Sequence, residues 1–196
     1  CGAVGLLDES KEDRAVKNIV IERLKDLGHT VYDCTVENGT SQNDVLKKIV
    51  AKCNSHDADL DVSIHFNSGR DDYSGDGKNG GTEVWLYSQN SKAKPYAQRT
   101  VDAIASLGFT NRGLKYTTGL YFLHRANAPA MLIECCFVDD ADDKRIYNAQ
   151  KMANAIVKGI TGLEVGSLNG LSDIQNKDVV ADRETGDERD DPDKGQ

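Results

Sequence analysis

The sequence predicts an α/β fold, a single domain in which helices flank a mostly parallel sheet. Three observations predict it. Apolar residues recur at helical spacing in four segments. Shorter segments of alternating or continuous apolarity separate them. The most apolar of these, "AMLIECCFV" at 130–138, has the composition of a strand covered on both faces, as the strands of layered α/β proteins are.

The first helix is predicted from Glu9, because Val16, Ile19, Val20, Leu24 and Leu27 share one helical face and Gly28 supplies a stop. "HTVYDCTV" (29–36) reads as a strand. Ser41, with Asp44 three residues on, reads as the N-cap of a second helix carrying Val45, Leu46, Ile49, Val50 and Cys53. In "DVSIHFNSG" the residues Val62, Ile64 and Phe66 alternate with Ser63, His65 and Asn67, the period of a strand. A Gly/Asp/Ser-rich loop (68–81) leads to "TEVWLYS" (82–88), another strand. A third helix is expected between Pro95 and Leu107, ending at Gly108. "GLYFLHR" (119–125) and "AMLIECCFV" read as two further strands. One last helix carries Ile146, Met152, Ile156, Val157 and Ile160. After Glu164 the pattern fails.

Composition excludes some functions. With 38% hydrophobic and 29% charged residues the chain fits a soluble domain. No apolar run approaches the roughly 20 residues that span a bilayer, so no membrane span is expected. A net charge of −8 gives no reason to bind the polyanionic backbone of nucleic acid. Much of that charge lies in 172–196, which holds nine acids against four bases, so it says little about a substrate. Five cysteines without CxxC spacing, two of them in the apolar strand, favour synthesis in a reducing compartment over a disulfide framework. The Gly-rich loop lacks the strand-turn-helix setting of a phosphate cradle, which weighs against a doubly wound nucleotide-binding protein.

Three residues are candidates for chemistry. Glu134 interrupts an otherwise apolar strand, and an ionised carboxylate there costs several kcal/mol unless paired, metal-associated or protonated. It is either a carboxylate hydrogen-bonded at a strand end or a general acid/base at the carboxyl edge of the sheet. His65 is expected near the same edge, as a satisfied polar group or as a ligand. Glu9 opens the first helix, where capping and the macrodipole already account for an acid. His29 and His56 read as solvent-facing, and His124 as ending a strand near the edge.

With these residues in place, the chain resembles the zinc-dependent N-acetylmuramoyl-L-alanine amidases, in particular the catalytic domains of phage endolysins of Gram-positive hosts. The resemblance is carried by ordered blocks: "GAVGLLDES", "LKDLGHTV", "VSIHFNSG", "GTEVWLYS", "LGFTNRGLK", "LYFLHRANAPAMLIECCFVDD" and "NAIVKGI". It implies a twisted sheet and one zinc ion per chain held by two histidines and a glutamate. His65 matches the second histidine, Glu9 the glutamate (with Glu12 as the alternative), and Glu134 the catalytic glutamate. The first histidine falls upstream of Cys1, so an N-terminal segment is expected to precede the chain. The implied reaction is hydrolysis of the amide between N-acetylmuramic acid and L-alanine in Gram-positive peptidoglycan, leading to wall lysis. Asn67 and Arg112 are expected to shape the substrate groove.

The implied layout is a monomeric catalytic domain over 1–163 and an acidic, disordered linker or tail over 164–196. Synthesis in a host cytoplasm without a signal peptide and action on the wall after release are expected, with a secreted autolysin as the other route. The competing reading is a peptidoglycan-binding domain without catalysis.

Overall fold

A computed structural model describes residues 2–163 of the chain; the predicted tail over 164–196 lies outside them. Helix α1 (Glu9–Asp26) buries Val16, Val20 and Leu24, and its first turn carries Glu9 and Glu12. Helix α2 (Gln42–Cys53) starts as predicted, the Ser41 hydroxyl accepting the Asp44 N–H. Strand β1 (Asp61–Asn67), strand β2 (Thr82–Leu86) and helix α3 (Lys94–Ala105) follow, then strand β3 (Asn111–Tyr116), short helix α4 (Tyr121–Arg125) and strand β4 (Ala130–Phe137). Helices α5 (Ala141–Ile146) and α6 (Ala149–Thr161) complete the described fold.

The four strands form one sheet in the order β1-β4-β2-β3. β1 runs parallel to β4 and β2 parallel to β3, while β2 and β4 are antiparallel. The sheet is thus mixed and mostly parallel, as expected. Strand alternation divides its two faces. Phe66, Val84, Leu86, Met131, Ile133 and Cys135 point into the larger core, shared with α1, α3 and α6. Ala130, Leu132 and Trp85 belong to a smaller cluster with α2 and α4.

Several elements differ from the sequence reading. Residues 29–36 form no strand. Lys17 holds them to α1 through Asp33 and Thr35, and Arg14 reaches Glu37 beyond them. The alternation there reflects Val31 packing on the larger core and Cys34 on the smaller one, with no ladder partner. "GLYFLHR" contains α4 rather than a strand, because consecutive Phe122 and Leu123 are both buried, which a pleated strand does not achieve against one cluster. β3, "NRGLKY", carries no strand pattern in its sequence because a sheet-edge strand tolerates charge and glycine. The predicted last helix is two: Asp140 caps α5 and Asn148 caps α6. His56 is not simply solvent-facing, since it is half-buried and stacked on Tyr32, whereas His29 is exposed. Among the described residues Cys34, Cys53, Cys135 and Cys136 carry free thiols, and no helix is long and apolar enough to cross a membrane.

Helices α3 and α6 approach each other closely at Gly159. A methyl group there would lie 2.7 Å from the Thr100 nitrogen and closer still to its Cα. Gly159→Ala is expected to cost about 1–3 kcal/mol by overpacking. The check is a lower denaturant midpoint at unchanged m-value.

Candidate active site

β4 supplies the rung on which the site is built. Glu134 pairs in register with His65 of β1 on one side and with Glu83 of β2 on the other. Paired residues project from the same face, here the face opposite the larger core. Both His65 and Glu134 stand in the carboxyl-terminal halves of their strands, short of the extreme edge.

Glu9 reaches His65 from the first turn of α1. Its Oε1 lies 3.0 Å from His65 Nδ1 and accepts the Phe66 N–H at 3.3 Å, while Oε2 accepts the Ala3 N–H at 2.7 Å. The far ring nitrogen, Nε2, is 2.9 Å from the Ser63 hydroxyl. Burial pushes the Glu9 carboxyl up, but the His65 contact and the two backbone N–H groups outweigh it and leave it lowered. Burial likewise disfavours charge on His65, and the Glu9 contact with the field of Glu134 overcomes this and raises its pKa. Glu12 points elsewhere, accepting the Tyr147 hydroxyl at 2.7 Å.

Glu134 is in a different state. Its Oε2 is buried without a hydrogen-bond partner among the described residues. Burial raises the carboxyl to about 7, against the pull of His65, and the neighbouring Glu9 and Glu83 add to the rise. Asp13, near Glu9 and His65, is also raised by burial and has a buried, unpartnered Oδ1.

Glu83 was not singled out from sequence, although a charge inside "TEVWL" was the available signal. It is 3% exposed. Asn67 Nδ2 (3.3 Å) and Trp85 Nε1 (3.1 Å) donate to one oxygen, and Arg112 Nε (2.8 Å) to the other. Asn67, Glu83, Trp85 and Glu134 line a cleft of about 290 Å³ together with Thr117, Gly119 and Leu120. Arg112 reaches this cleft through Glu83 rather than lining it, its guanidinium lying 5.1 Å from the Phe137 ring centroid. His124 is on α4, not at a strand end, and stacks on Tyr87.

The structure therefore gathers Glu9, His65, Glu134 and Asn67, with Arg112 one residue removed. His65 Nδ1 and Glu9 Oε1 are nitrogen and oxygen donors of the types zinc takes. Their 3.0 Å separation is near the roughly 3.3 Å between two ligands of a tetrahedral ion. The unpartnered carboxylate oxygens beside them also favour a cation. A second acidic group, Asp72, Asp76 and Asp142, has oxygens within 4.8 Å of one another. Those carboxylates are engaged by the N–H groups of Gly75, Asp76, Gly77 and Lys78 and by Arg145.

Comparison with known proteins gives a consistent family. The family model described as N-acetylmuramoyl-L-alanine amidase matches residues 1–162. An uncharacterized protein of Clostridium perfringens (strain 13 / Type A) is 37% identical over 147 residues, 74% of this chain. The chain spans less than half of that relative, 42% of its length. In tertiary structure the chain is similar to the catalytic domain of the CD27L endolysin targeting Clostridia difficile. That match has 28% identity and a TM-score of 0.71, covering 82% of this chain and 87% of that one. It is also similar to the catalytic domain of CwlV, an N-acetylmuramoyl-L-alanine amidase from Bacillus (Paenibacillus) polymyxa var. colistinus. There the identity is 26% and the TM-score 0.67, covering 82% of this chain and 89% of that one.

The raised Glu134 carboxyl predicts a pH signature for the metal-free protein. Its folded pKa of about 7 exceeds the ordinary 4.5, so between those values the folded state holds more protons than the unfolded state. Stability from this residue is therefore present at low pH and lost as pH rises through about 7. Melting temperatures of wild type and E134Q, compared from about pH 5 to about pH 8, should show wild type losing ground to the variant as pH rises.

Proposed function

Because the chain belongs to the N-acetylmuramoyl-L-alanine amidase family, we propose that it hydrolyses the amide between N-acetylmuramic acid and L-alanine in peptidoglycan, with one zinc ion held by His65 and Glu9. The third ligand is the histidine expected ahead of Cys1. One observation carries the reading: the unpartnered Glu134 carboxyl, raised to about 7, stands in the cleft on the same rung as His65.

Zinc bound there supplies a Lewis acid that acidifies water and polarises the scissile carbonyl. Glu134 has an oxygen free to take the proton of the attacking water, and its pKa suits a group that gains and loses a proton near neutrality. The same carboxyl then delivers that proton to the departing amine of L-alanine. The Ser63 hydroxyl at Nε2 orients the His65 ring, and the Ala3 and Phe66 N–H groups hold the Glu9 carboxylate, so that Nδ1 and Oε1 would face one ion together. Asn67, whose Nδ2 donates to Glu83, lines the cleft, which supports a part in binding the substrate. The likeness to an endolysin catalytic domain supports Gram-positive peptidoglycan as the partner and wall lysis as the outcome.

In the intact protein, Glu134→Ala is expected to lower hydrolysis by about 100-fold or more, the scale of a lost general acid/base, with zinc content unchanged. The measurement is release of stem-peptide amino termini from purified walls; full activity in that variant removes Glu134 from the mechanism. His65→Ala is expected to lose metal. Elemental analysis tests this, and an unchanged zinc stoichiometry would make His65 a structural hydrogen-bonding residue.

A further inference from the structure

We infer that Tyr87 and His124 form a sugar-binding subsite at the end of the cleft, where a pyranose ring of the glycan strand stacks beyond the muramoyl unit that carries the scissile amide. The inference rests on the proposed peptidoglycan substrate.

Tyr87 follows β2 directly, two residues beyond Trp85, and is 38% exposed. Its ring stacks on His124 with centroids 5.4 Å apart and planes 20° from parallel. His124 is exposed as well, and neither ring belongs to the two apolar cores. Core packing therefore does not explain the stack. Its position follows from two anchors on the cleft wall. The His124 N–H donates to the Leu120 carbonyl at the start of α4, and the Thr117 N–H donates to the Leu86 carbonyl beside Tyr87. Leu120 and Thr117 both line the cleft. Neither ring lines the cleft itself, but the stack is tied at both of its members to backbone beside residues that do.

The chemistry selects a sugar for this end. An exposed aromatic face with a hydroxyl and an imidazole at its rim matches a pyranose, which offers an apolar C–H face ringed by hydroxyls. The other end carries Asn67 and the Glu83–Arg112 pair, hydrogen-bonding groups suited to the peptide stem. Tyr87 stands four residues beyond Glu83, the residue opposite Glu134, with all but the last step in β2, a span of roughly 13 Å. That exceeds the reach of the muramoyl ring itself, so a neighbouring sugar of the strand meets the stack.

The test uses Tyr87→Ala and Tyr87→Phe, with Tyr32→Ala as control, because Tyr32 stacks on His56 in segments that contribute no residue to the cleft lining. Two measurements are made on the intact protein. One is binding of an N-acetylglucosamine tetramer, which lacks any stem peptide, followed by NMR titration. The other is hydrolysis of polymeric walls against a soluble muramoyl dipeptide. Tyr87→Ala is expected to weaken tetramer binding about fivefold to tenfold and to raise KM on walls at least about fivefold more than on the dipeptide. Tyr87→Phe should retain most of both, and Tyr32→Ala should match wild type. Equal losses on walls and dipeptide, or no tetramer binding by wild type, would overturn the subsite. Tetramer binding lost in Tyr87→Ala from a wild type that cleaves neither substrate would defeat the amidase reading while leaving the subsite in place.

Discussion

Glu134 shares one rung of the sheet with His65 on β1 and Glu83 on β2, and the site depends on that register. A one-residue slip of β4 against either neighbour would turn Glu134 into the larger core and its neighbours Ile133 and Cys135 out of it. Burial of Met131, Ile133 and Cys135 under α1, α3 and α6 opposes such a slip. The packing that stabilises one face therefore fixes the positions of the ionisable groups on the other.

Three glutamates on or beside this rung meet different fates because their donors differ. Glu83 receives three side-chain hydrogen bonds, one from a guanidinium. Glu9 receives two backbone N–H groups and faces an imidazole. Glu134 has an oxygen with no donor among the described residues, and burial without compensation drives its pKa upward. A buried polar atom left this way costs stability, and such costs are concentrated where a protein binds or transforms something. The supply of donors thus separates the compensated carboxylates of Glu83 and Glu9 from the uncompensated one of Glu134, to which we assign the proton transfer.

The glycine-rich loop between β1 and β2 is held by the acids that follow β4. Asp139 accepts the N–H groups of Gly69, Arg70 and Asp71, and Asp142 that of Gly77. Asp143 accepts those of Gly81 and Phe137. Gly81, at φ +89°, lies so near the Thr110 carbonyl that a side chain would collide with it. This close approach starts β2 beside β3 and delivers Glu83 to its place opposite Glu134.

The sequence by itself determined the elements whose pattern is local. The α1 stripe, the Ser41 cap, the alternation of β1 and the apolar run of β4 were all legible. So were His65 and Glu134, as polar residues in strands, and the ordered blocks identified the family. Tertiary structure alone decided the rest. It made 29–36 an irregular segment, with Val31 and Cys34 packed on separate clusters, and folded 121–125 as a helix, with Phe122 and Leu123 both buried in one, so that packing overrode alternation and β-propensity. It chose Glu9 rather than Glu12 to meet His65, three residues apart on one helix but with different partners in space. Glu83 belongs to the site only because β2 lies antiparallel beside β4. Periodicity along a chain records which face a residue occupies, whereas donors, distances and pKa values belong to pairs that the fold brings together.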